Sequence, residues 1–455
     1  MSGILPDSIT RLGPSSPNKK RPRALLHRLL RRNSAGINVT PGNDDDGWDS
    51  PPPVTLACGS TVRVFKDGEA FRAAYDAIEQ AQSRVCFEFY IWDNDSTGRA
   101  FAELLMRKSR QGVAVYCIYD GVGVLGGNDR SMFASMRAAG VRVAEFHPIR
   151  PWECNFSWKP FSRDHRKLVV VDDKFAGVGG LNVTDVCAGA WVASNDLKIS
   201  QLWRDTAIGI TGPAARHFLV SFVKTWHYLH RGGRIVRAMH AGGIHVPPSM
   251  KGNRVGPRRI PVKKKNDCPA APLMPENSLG VLATVPTLCS PLRPILHKLL
   301  RAARFRVRMT MAYFAPDDEL VQELCDAARR GVRVELVFGA KSDMRIMTIA
   351  ARAFYQRMLS AGVKIHERQH VILHAKTMLV DDVSIVGSTN LDYRSIELNC
   401  EISAVVRNAA FADQLCLLFD HDVKYSREIN HTTWRKRRFI DRAVQWGVIK
   451  LRKLL

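Results

Sequence analysis

The chain has 455 residues, enough for about two to four domains and a large hydrophobic core. Hydrophobic residues make up 45%, as in a globular protein, and no apolar run reaches the roughly 18–20 residues of a membrane span. The formal net charge of +24 predicts attraction to polyanions, either nucleic acid or an anionic lipid surface, and does not choose between them.

Cysteine usage and the N-terminus bear on the cellular compartment. The ten cysteines are scattered singly, without a Cys-x-x-Cys pair, so we expect reduced, mostly buried thiols rather than disulfides or zinc sites. The N-terminus carries basic residues but no apolar stretch long enough for a secretory signal. We therefore expect a protein that stays in the cytosol or on the inner face of the membrane.

Residues 1–53 predict a weakly ordered basic tail, because Pro, Gly, Ser and Asn dominate its composition. Within it, the stretch from Arg23 to Arg32 has leucines at helical spacing together with arginines. A basic amphipathic helix of this kind can lie on a membrane surface. Packing on the protein itself and disorder are the alternatives.

Residues 54–235 predict a first repeat in which helices and strands alternate. The expected helices are Asp67–Gln82, Gly98–Gln111 and Asp129–Ala139, and the expected strands are Arg84–Trp92, Gly112–Asp120 and Gly140–Glu145. Such alternation indicates parallel βαβ units.

Residues 281–430 repeat this order. The matching strands are Arg306–Phe314, Gly331–Phe338 and Gly362–His366, and each repeat then continues into one more apolar strand. Landmarks that recur in one order indicate an internal duplication. The fold class we predict is α/β, built from two similar halves.

The linker between the repeats, residues 236–280, is rich in Lys and Arg and has no acidic residue before Asp267. It is either a solvated loop or a mobile basic segment that meets anionic phosphates.

Residues 431–455 predict a second basic amphipathic segment. Its expected apolar face consists of Ile440, Val444, Val448, Leu451 and Leu455. Trp434 and Trp446 could anchor it at a membrane interface, and packing on the protein's own surface is the alternative.

A short motif occurs once in each repeat. The first copy consists of His165, Lys167, Asp172 and Asn182, and the second of His374, Lys376, Asp381 and Asn390. The apolar run after each Lys predicts a buried strand, on which residues two apart share a face, so His and Lys project together. Each Asp follows its His by seven positions, an odd offset, so we expect it to lie in the turn with a structural role.

A single His-x-Lys pair on a strand is usually a surface pair, but two copies with one downstream pattern indicate a shared active site. A metal site is disfavoured, because Lys is not a usual ligand and no Cys or carboxylate cluster completes a ligand set. Two His and two Lys in one cleft suit phosphodiester exchange without metal or cofactor. Lys and Asn would stabilise charge on the phosphoryl oxygens, while one imidazole attacks phosphorus and the other transfers protons.

The paired motif resembles the HKD signature of the phospholipase D superfamily. The longer matches, Arg163-Asp164-His165-Arg166-Lys167 and residues 387–401, look most like its bacterial cardiolipin synthase branch. The resemblance covers nearly everything from residue 54 to residue 430. It implies two halves packed about a pseudo-two-fold axis, with both His-x-Lys strands at one cleft between them.

The resemblance also implies roles for single residues. His165 would be the nucleophile and His374 the general acid/base, although near-equivalent motifs do not order the two by themselves. Each imidazole needs an acceptor on its second nitrogen to fix its tautomer. Glu401 matches the family's acidic partner of the second histidine, and Asp205 is the candidate for the first.

Two tyrosines, Tyr90 and Tyr313, lie at the ends of the aromatic strands. They could line the cleft, or they could be ordinary core or rim residues.

For activity, the resemblance implies a membrane-associated phosphatidyltransferase that joins two phosphatidylglycerols, or phosphatidylglycerol and another phospholipid such as phosphatidylethanolamine. Many members carry two N-terminal membrane-spanning helices; this sequence predicts none, which suggests peripheral attachment to the cytoplasmic face of the cell membrane. A phospholipase D hydrolase releasing phosphatidic acid, a superfamily nuclease and a basic binding module without catalysis are the alternatives. The motif context and amphipathic ends disfavour nucleic acid as a partner, and the oligomeric state stays open.

Overall fold

The computed structural model describes residues 48–125, 130–149, 161–189, 202–230, 274–284 and 290–450. The expected helix from Arg23 to Arg32 and linker residues 236–273 lie outside these described residues. So do residues 451–455, which include two members of the expected C-terminal apolar face.

Within the described residues, the first half forms an eight-stranded sheet in the order β1-β2-β9-β7-β6-β3-β4-β5. The strands of this half, including the short β8 that joins the other sheet, are β1 (Val54–Thr55), β2 (Thr61–Lys66), β3 (Arg84–Phe89), β4 (Ala114–Asp120), β5 (Arg142–Phe146), β6 (Lys167–Val171), β7 (Phe175–Gly179), β8 (Trp203–Arg204) and β9 (Thr206–Thr211). The helices are α1 (Glu69–Glu79), α2 (Ser96–Arg110), α3 (Ser131–Ala138), α4 (Asp185–Ala188) and α5 (Ala215–His230). The helices and strands that the sequence predicts for this half are present, with ends shifted by a few residues.

The described part of the second half repeats this topology in a sheet of order β10-β16-β15-β14-β11-β12-β13-β17, and β8 pairs with β13. Its strands are β10 (Ser278–Ala283), β11 (Arg306–Met311), β12 (Arg333–Lys341), β13 (Lys364–Leu373), β14 (Lys376–Val380), β15 (Val383–Gly387), β16 (Ile402–Arg407) and β17 (Ser426–Glu428). Its helices are α6 (Leu292–Ala302), α7 (Asp318–Arg329), α8 (Arg345–Ser360), α9 (Tyr393–Glu397), α10 (Ala409–Lys424), α11 (His431–Arg435) and α12 (Phe439–Lys450).

The sheets are mixed rather than wholly parallel. The expected βαβ units account for the parallel neighbours β3, β4 and β5 and for β11, β12 and β13. The strands that carry the repeated motif, β6 and β14, run antiparallel to β3 and β11. Each of them continues into a hairpin with β7 or β15, and hairpin partners are necessarily antiparallel.

The two halves pack against each other through a shared core. One buried apolar cluster includes Ile208 on β9, Ala404 on β16, Phe218 on α5 and Leu415 on α10. Each half also has its own core, formed with α1–α3 in the first and with α6–α8 in the second. Six of the seven described cysteines are buried and none of the seven forms a disulfide, while Cys58 is exposed.

Asp172 and Asp381 hold turns at the ends of the motif strands. The Asp172 carboxylate accepts backbone N–H groups of residues 82–84 at 2.7, 2.8 and 2.8 Å, and Asp381 does the same for residues 304–306 at 3.0, 2.9 and 3.0 Å. Both aspartates have positive φ, 49° and 54°, which Asp tolerates better than most residues. These bonds tie the motif strand to the start of its neighbouring strand, so both carboxylates act structurally.

The C-terminal segment forms α11 and α12, and α12 divides the expected apolar face between protein and solvent. Val448 packs with Ala315, Met347 and Ala350. Ile440 and Val444 are exposed. Trp434 packs on Tyr355 at a ring-centroid distance of 5.0 Å. Across the described residues, no helix has the length and apolarity needed to cross a membrane.

The Asp172 turn gives a pH-dependent contribution to stability. Burial alone would raise the pKa of Asp172, but the bonds from residues 82–84 hold it below its ordinary value. A carboxylate with a depressed pKa stabilises the fold above its unfolded pKa of about 3.9, and this stabilisation is lost as the pH falls through the folded pKa. Asp172→Asn keeps the left-handed backbone but loses the charge, so we expect the free energy of unfolding to fall by roughly 1–2 kcal/mol at pH 7.

Urea denaturation at several pH values measures this difference. The control is Asp413→Asn, which removes an exposed ion pair with Arg306 and should cost less than about 1 kcal/mol. A loss for Asp172→Asn as large at pH 3 as at pH 7 would contradict the charge-based account.

Candidate active site

Each candidate lysine is the first residue of its strand, and its histidine lies two residues earlier. Lys167 on β6 pairs with Phe89 of β3, and Lys376 on β14 pairs with Met311 of β11. Each His-x-Lys pair therefore lies at the edge of its sheet where the parallel strands have their carboxyl ends.

Backbone pairing between the halves brings the two motifs together. The His165 N–H donates to the Cys400 carbonyl at 2.9 Å, and the His374 N–H donates to the Arg204 carbonyl at 2.8 Å. Both pairings are parallel, through the Asp164–Cys400 bridge and the β8–β13 ladder. The segment before each histidine is thus paired with a segment of the opposite half, and the two motifs meet in one cleft.

The carboxylate partners are the reverse of the expected ones. Glu401 accepts from His165 Nδ1, at 3.0 Å to Oε1 and 3.2 Å to Oε2, and Asp205 Oδ2 accepts from His374 Nδ1 at 2.7 Å. The expectation was wrong because it joined each histidine to the acid of its own half. Each acid follows directly after the residue that pairs with the other half's histidine, so the acids are exchanged.

The two acids have different surroundings. Asp205 Oδ1 accepts the Thr206 N–H at 2.7 Å and lies 2.1 Å from where a Cβ on Gly180 would be. Only glycine leaves room for this carboxylate. At the corresponding position of the second copy, the Ser388 hydroxyl donates to Glu401 Oε2.

The lysines and asparagines complete the cleft. The Lys167 ammonium donates to the His165 carbonyl at 2.7 Å, and the Lys376 ammonium donates to the His374 carbonyl. The Lys376 Nζ also lies 2.8 Å from Nδ1 and 2.9 Å from Nε2 of His374. Asn182 and Asn390 are both buried, and Asn390 Oδ1 has no hydrogen-bond partner among the described residues.

Burial and mutual repulsion shift the protonation of these bases. Burial lowers the pKa of His165 well below 6.5, and Lys167, Lys376 and His374 lower it further. The pKa of His374 is lowered by burial and Lys376 and partly restored by Asp205. Burial and then Lys376 lower the pKa of Lys167 to about 7.

The pKa of the acid Glu401 shifts in the opposite direction. Burial raises the pKa of Glu401 to about 7, against the lowering effects of Lys167 and the Ser388 hydroxyl. An anion placed between the lysines would favour their charged forms. The site therefore has the electrostatics of an anion-binding cleft.

Two fully buried arginines support the acids, and we did not anticipate either. Arg204 makes a bidentate pair with Asp422 at 2.9 and 2.9 Å and donates to the Asp205 carbonyl. Arg166 donates to the Glu401 carbonyl at 3.3 Å and to the Thr284 carbonyl. The only sign in the sequence was that each arginine lies next to a motif or acid residue. Their burial could not be predicted, because it depends on how the halves pack.

Aromatic rings line both histidines. Tyr90 lies 5.2 Å from His165, while Trp203 and Tyr313 lie 4.8 and 6.3 Å from His374, measured between ring centroids. Both tyrosines therefore reach the cleft, which was one of the two expectations. Trp203 was not anticipated.

One cluster with metal-ligand chemistry lies elsewhere among the described residues, on α6 and α7. It consists of His297, Glu319 and Glu323. Arg301 pairs with Glu319 at 2.8 Å and with Glu323 at 2.6 Å. A guanidinium thus already neutralises these carboxylates, so the cluster fits an ion-pair network better than a metal site.

Comparison with known proteins places this geometry in a family. The family model described as "Cardiolipin synthase, PLD-like domain" matches residues 75–194 and 296–423. The chain belongs to the phospholipase D superfamily. Within it, the chain belongs to the cardiolipin synthase branch and is a phosphatidyltransferase.

Two relatives and one solved structure illustrate the similarity. Cardiolipin synthase A of Pseudomonas putida is 34% identical over 81% of this chain and 69% of its own length. Cardiolipin synthase 2 of Bacillus anthracis is 28% identical over 86% of this chain and 70% of its own length. The crystal structure of phosphatidylserine synthase from Haemophilus influenzae superposes with a TM-score of 0.64 at 14% identity, covering 89% of this chain and 97% of that one, and shows the shared fold.

The exchanged acids can be tested without an activity assay. In protein with isotope-labelled histidine, NMR titration should give both cleft histidines pKa values below 6.5, with His165 the lower of the two. Asp205→Asn should lower the pKa of His374 and leave that of His165 nearly unchanged, because it removes the carboxylate at Nδ1 of His374 alone. Glu401→Gln should leave the pKa of His374 nearly unchanged and should move that of His165 only slightly, because a carboxyl with a pKa of about 7 is already mostly neutral where His165 titrates. If Asp205→Asn moved His165 instead, the acids would belong to their own halves.

Proposed function

We propose that this protein joins two phosphatidylglycerol molecules into cardiolipin, releasing glycerol, through a phosphohistidine intermediate. The observation that carries the proposal is the pair of buried imidazoles facing one cleft, each backed by a carboxylate at Nδ1. That hydrogen bond holds the Nδ1 proton, so Nε2 of neutral His165 carries the lone pair, while His374 enters the first step protonated on both nitrogens. Two buried lysines and two buried asparagines are the groups that we expect to contact the phosphate.

In the first step, Nε2 of His165 attacks phosphorus while the bond from phosphorus to the oxygen of the headgroup glycerol breaks. His374 donates its Nε2 proton to the leaving oxygen, and the lysines stabilise charge on the non-bridging oxygens. In the second step, His374 takes the proton from a hydroxyl of the second phosphatidylglycerol. That oxygen attacks phosphorus, the P–N bond breaks, and His165 is restored.

The local electrostatics support this order of roles. His165 has the more strongly lowered pKa, so its ring is neutral and nucleophilic near pH 7. Its partner Glu401 has a pKa raised to about 7, so it offers less negative charge to an imidazolium. The pKa of His374 is lowered less than that of His165, because Asp205 at 2.7 Å partly offsets burial and Lys376, so His374 is the ring more readily protonated to serve as general acid.

We further propose that the enzyme acts peripherally at an anionic membrane, on the cytoplasmic face of the cell membrane. Phe439, Ile440, Val444 and Trp446 on α12 are 81, 57, 48 and 67% exposed. Exposed basic side chains flank this face at Arg435, Lys436, Arg438, Arg442 and Lys450. An apolar face with a basic border suits insertion among anionic headgroups.

Lipid mass spectrometry tests the reaction. Purified protein with phosphatidylglycerol liposomes should produce cardiolipin and glycerol, and the rate should fall by roughly 10²- to 10⁴-fold or more in His165→Ala and His374→Ala. The matched control is His217→Ala, an exposed histidine on α5, which should keep full activity.

Other products would redirect the assignment. Phosphatidic acid without cardiolipin would make the protein a hydrolase. No lipid product, together with cleavage of single-stranded or duplex nucleic acid, would make it a nuclease.

Vesicle cosedimentation tests the membrane contact. Burying each large apolar side chain contributes about 1.5–3 kcal/mol, so Phe439→Ser with Trp446→Ser should weaken binding to phosphatidylglycerol vesicles by at least about tenfold. Binding of the unaltered protein should also weaken with added salt. The control, Leu417→Ser, removes a side chain that is 59% exposed on α10 and should have little effect. Equal binding of the double variant and the control would place the contact elsewhere.

A further inference from the structure

The two halves differ at the rim of the cleft beside His374. The Phe314–Leu391 bridge corresponds to the Trp92–Val183 bridge of the first half, so Tyr313 takes the position of Ile91. Tyr90 in turn corresponds to Ala312. The two tyrosines therefore do not occupy equivalent positions in the two halves, and Tyr313 is a feature of the His374 side.

Tyr313 holds an exposed carboxylate at this rim. Its hydroxyl lies 2.7 Å from both Oδ1 and Oδ2 of Asp343, which follows the carboxyl end of β12. The Ser342 hydroxyl also donates to Asp343 Oδ1, at 3.1 Å. With these two donors the exposed carboxylate still has acceptor capacity for a ligand in the cleft.

The first half has no equivalent among its described residues. The acid at the end of its matching strand, Asp120, is fully buried. Asp120 accepts the backbone N–H of Asp164 and of Val122 at 2.8 and 2.8 Å, and it pairs with Arg163 at 3.4 Å. The buried Asp120 carboxylate has only partners within the protein, whereas the Asp343 carboxylate is exposed.

An exposed carboxylate repels a phosphate but accepts hydrogen bonds from hydroxyl or ammonium groups. In the reaction proposed above, the departing headgroup oxygen receives its proton from His374. The rest of that headgroup then lies on the His374 side of the phosphorus, where Tyr313 and Asp343 are. In the second step, the hydroxyl of the second lipid approaches phosphorus from this same region.

We propose that Asp343, oriented by Tyr313, is a headgroup-binding residue that accepts hydrogen bonds from the free donor groups of the lipid headgroup. These donors are the hydroxyls of glycerol or the ammonium of ethanolamine. The pair thereby selects headgroups with donors over headgroups without them. This inference rests on the proposed function and adds the specificity that the reaction itself does not require.

The test compares two donor lipids that differ in headgroup donors. Phosphatidylglycerol has two free headgroup hydroxyls, and phosphatidylmethanol has none. Each lipid is supplied with the same excess of unlabelled glycerol as acceptor, and release of the labelled headgroup alcohol is measured. Asp343→Ala should reduce the ratio of kcat/KM for phosphatidylglycerol over phosphatidylmethanol by roughly 10- to 100-fold, the range for a hydrogen bond to a charged group. The ratio cancels any change in His374 acidity, because that change affects both donors equally.

Further variants separate binding from general damage. Asp343→Asn keeps an acceptor without the charge and should restore part of the ratio. Tyr313→Phe should lower the ratio less than Asp343→Ala, and the double variant should match Asp343→Ala because the tyrosine acts through the carboxylate. With phosphatidylethanolamine in place of phosphatidylglycerol, a larger loss in Asp343→Ala would identify the ammonium as the preferred donor.

An unchanged ratio in Asp343→Ala, with donor consumption still abolished in His374→Ala, would overturn this inference and leave the proposed function intact. Failure of the unaltered protein to consume either lipid would overturn both.

Discussion

Each candidate imidazole is held by a carboxylate that comes from the opposite half of the chain, and the cleft depends on this exchange. Among the described residues, neither half supplies the acceptor at Nδ1 of its own histidine. The exchange follows from two parallel backbone pairings, at Cys400 and at Arg204, that run across the interface. The packing of the halves is therefore part of the site, because separating them would remove the acid from both histidines at once.

The second determinant is the concentration of buried positive charge. Two lysines and two histidines share a cleft with two acids, and burial lowers the pKa of all four bases, while repulsion between them lowers those of His165, His374 and Lys167 further. A phosphodiester bound as proposed would relieve this repulsion, because its charge would lie between the ammonium groups. The same environment keeps the attacking ring neutral. In the proposed reaction, one physical effect would therefore serve both tasks, because burial of positive charge favours binding of an anion and keeps the nucleophile neutral.

The sequence predicted those features that depend on local geometry. The spacing of two positions predicted that the His and Lys of each motif project together, and Lys376 Nζ does lie 2.8 Å from His374 Nδ1. The odd offset of Asp172 predicted its place in a turn. The duplication was visible because each half has to bury the same strands. The reversed acids were not predictable in this way, since Asp205 and Glu401 are assigned by how the halves pack and not by distance along the chain.

Other features stayed hidden for similar reasons. Arg166 and Arg204 look like surface residues by type, and only their burial beside backbone carbonyls shows what they support. Asp343 is an ordinary loop acid in the sequence, and its relation to Tyr313 comes from two strand ends that meet at one edge of the sheet. The asymmetry between the halves lies in such contacts rather than in the motifs themselves.

In the proposed mechanism, the two halves form one site in which His165 carries the phosphatidyl group. The most direct measurement mixes the protein rapidly with phosphatidylglycerol labelled at phosphorus, quenches in alkaline denaturant, where phosphohistidine survives, and maps the labelled peptide. The account predicts label on the peptide that contains His165. Label on the His374 peptide would reverse the roles, and continued cardiolipin formation with no trapped label at any time point would contradict a covalent intermediate.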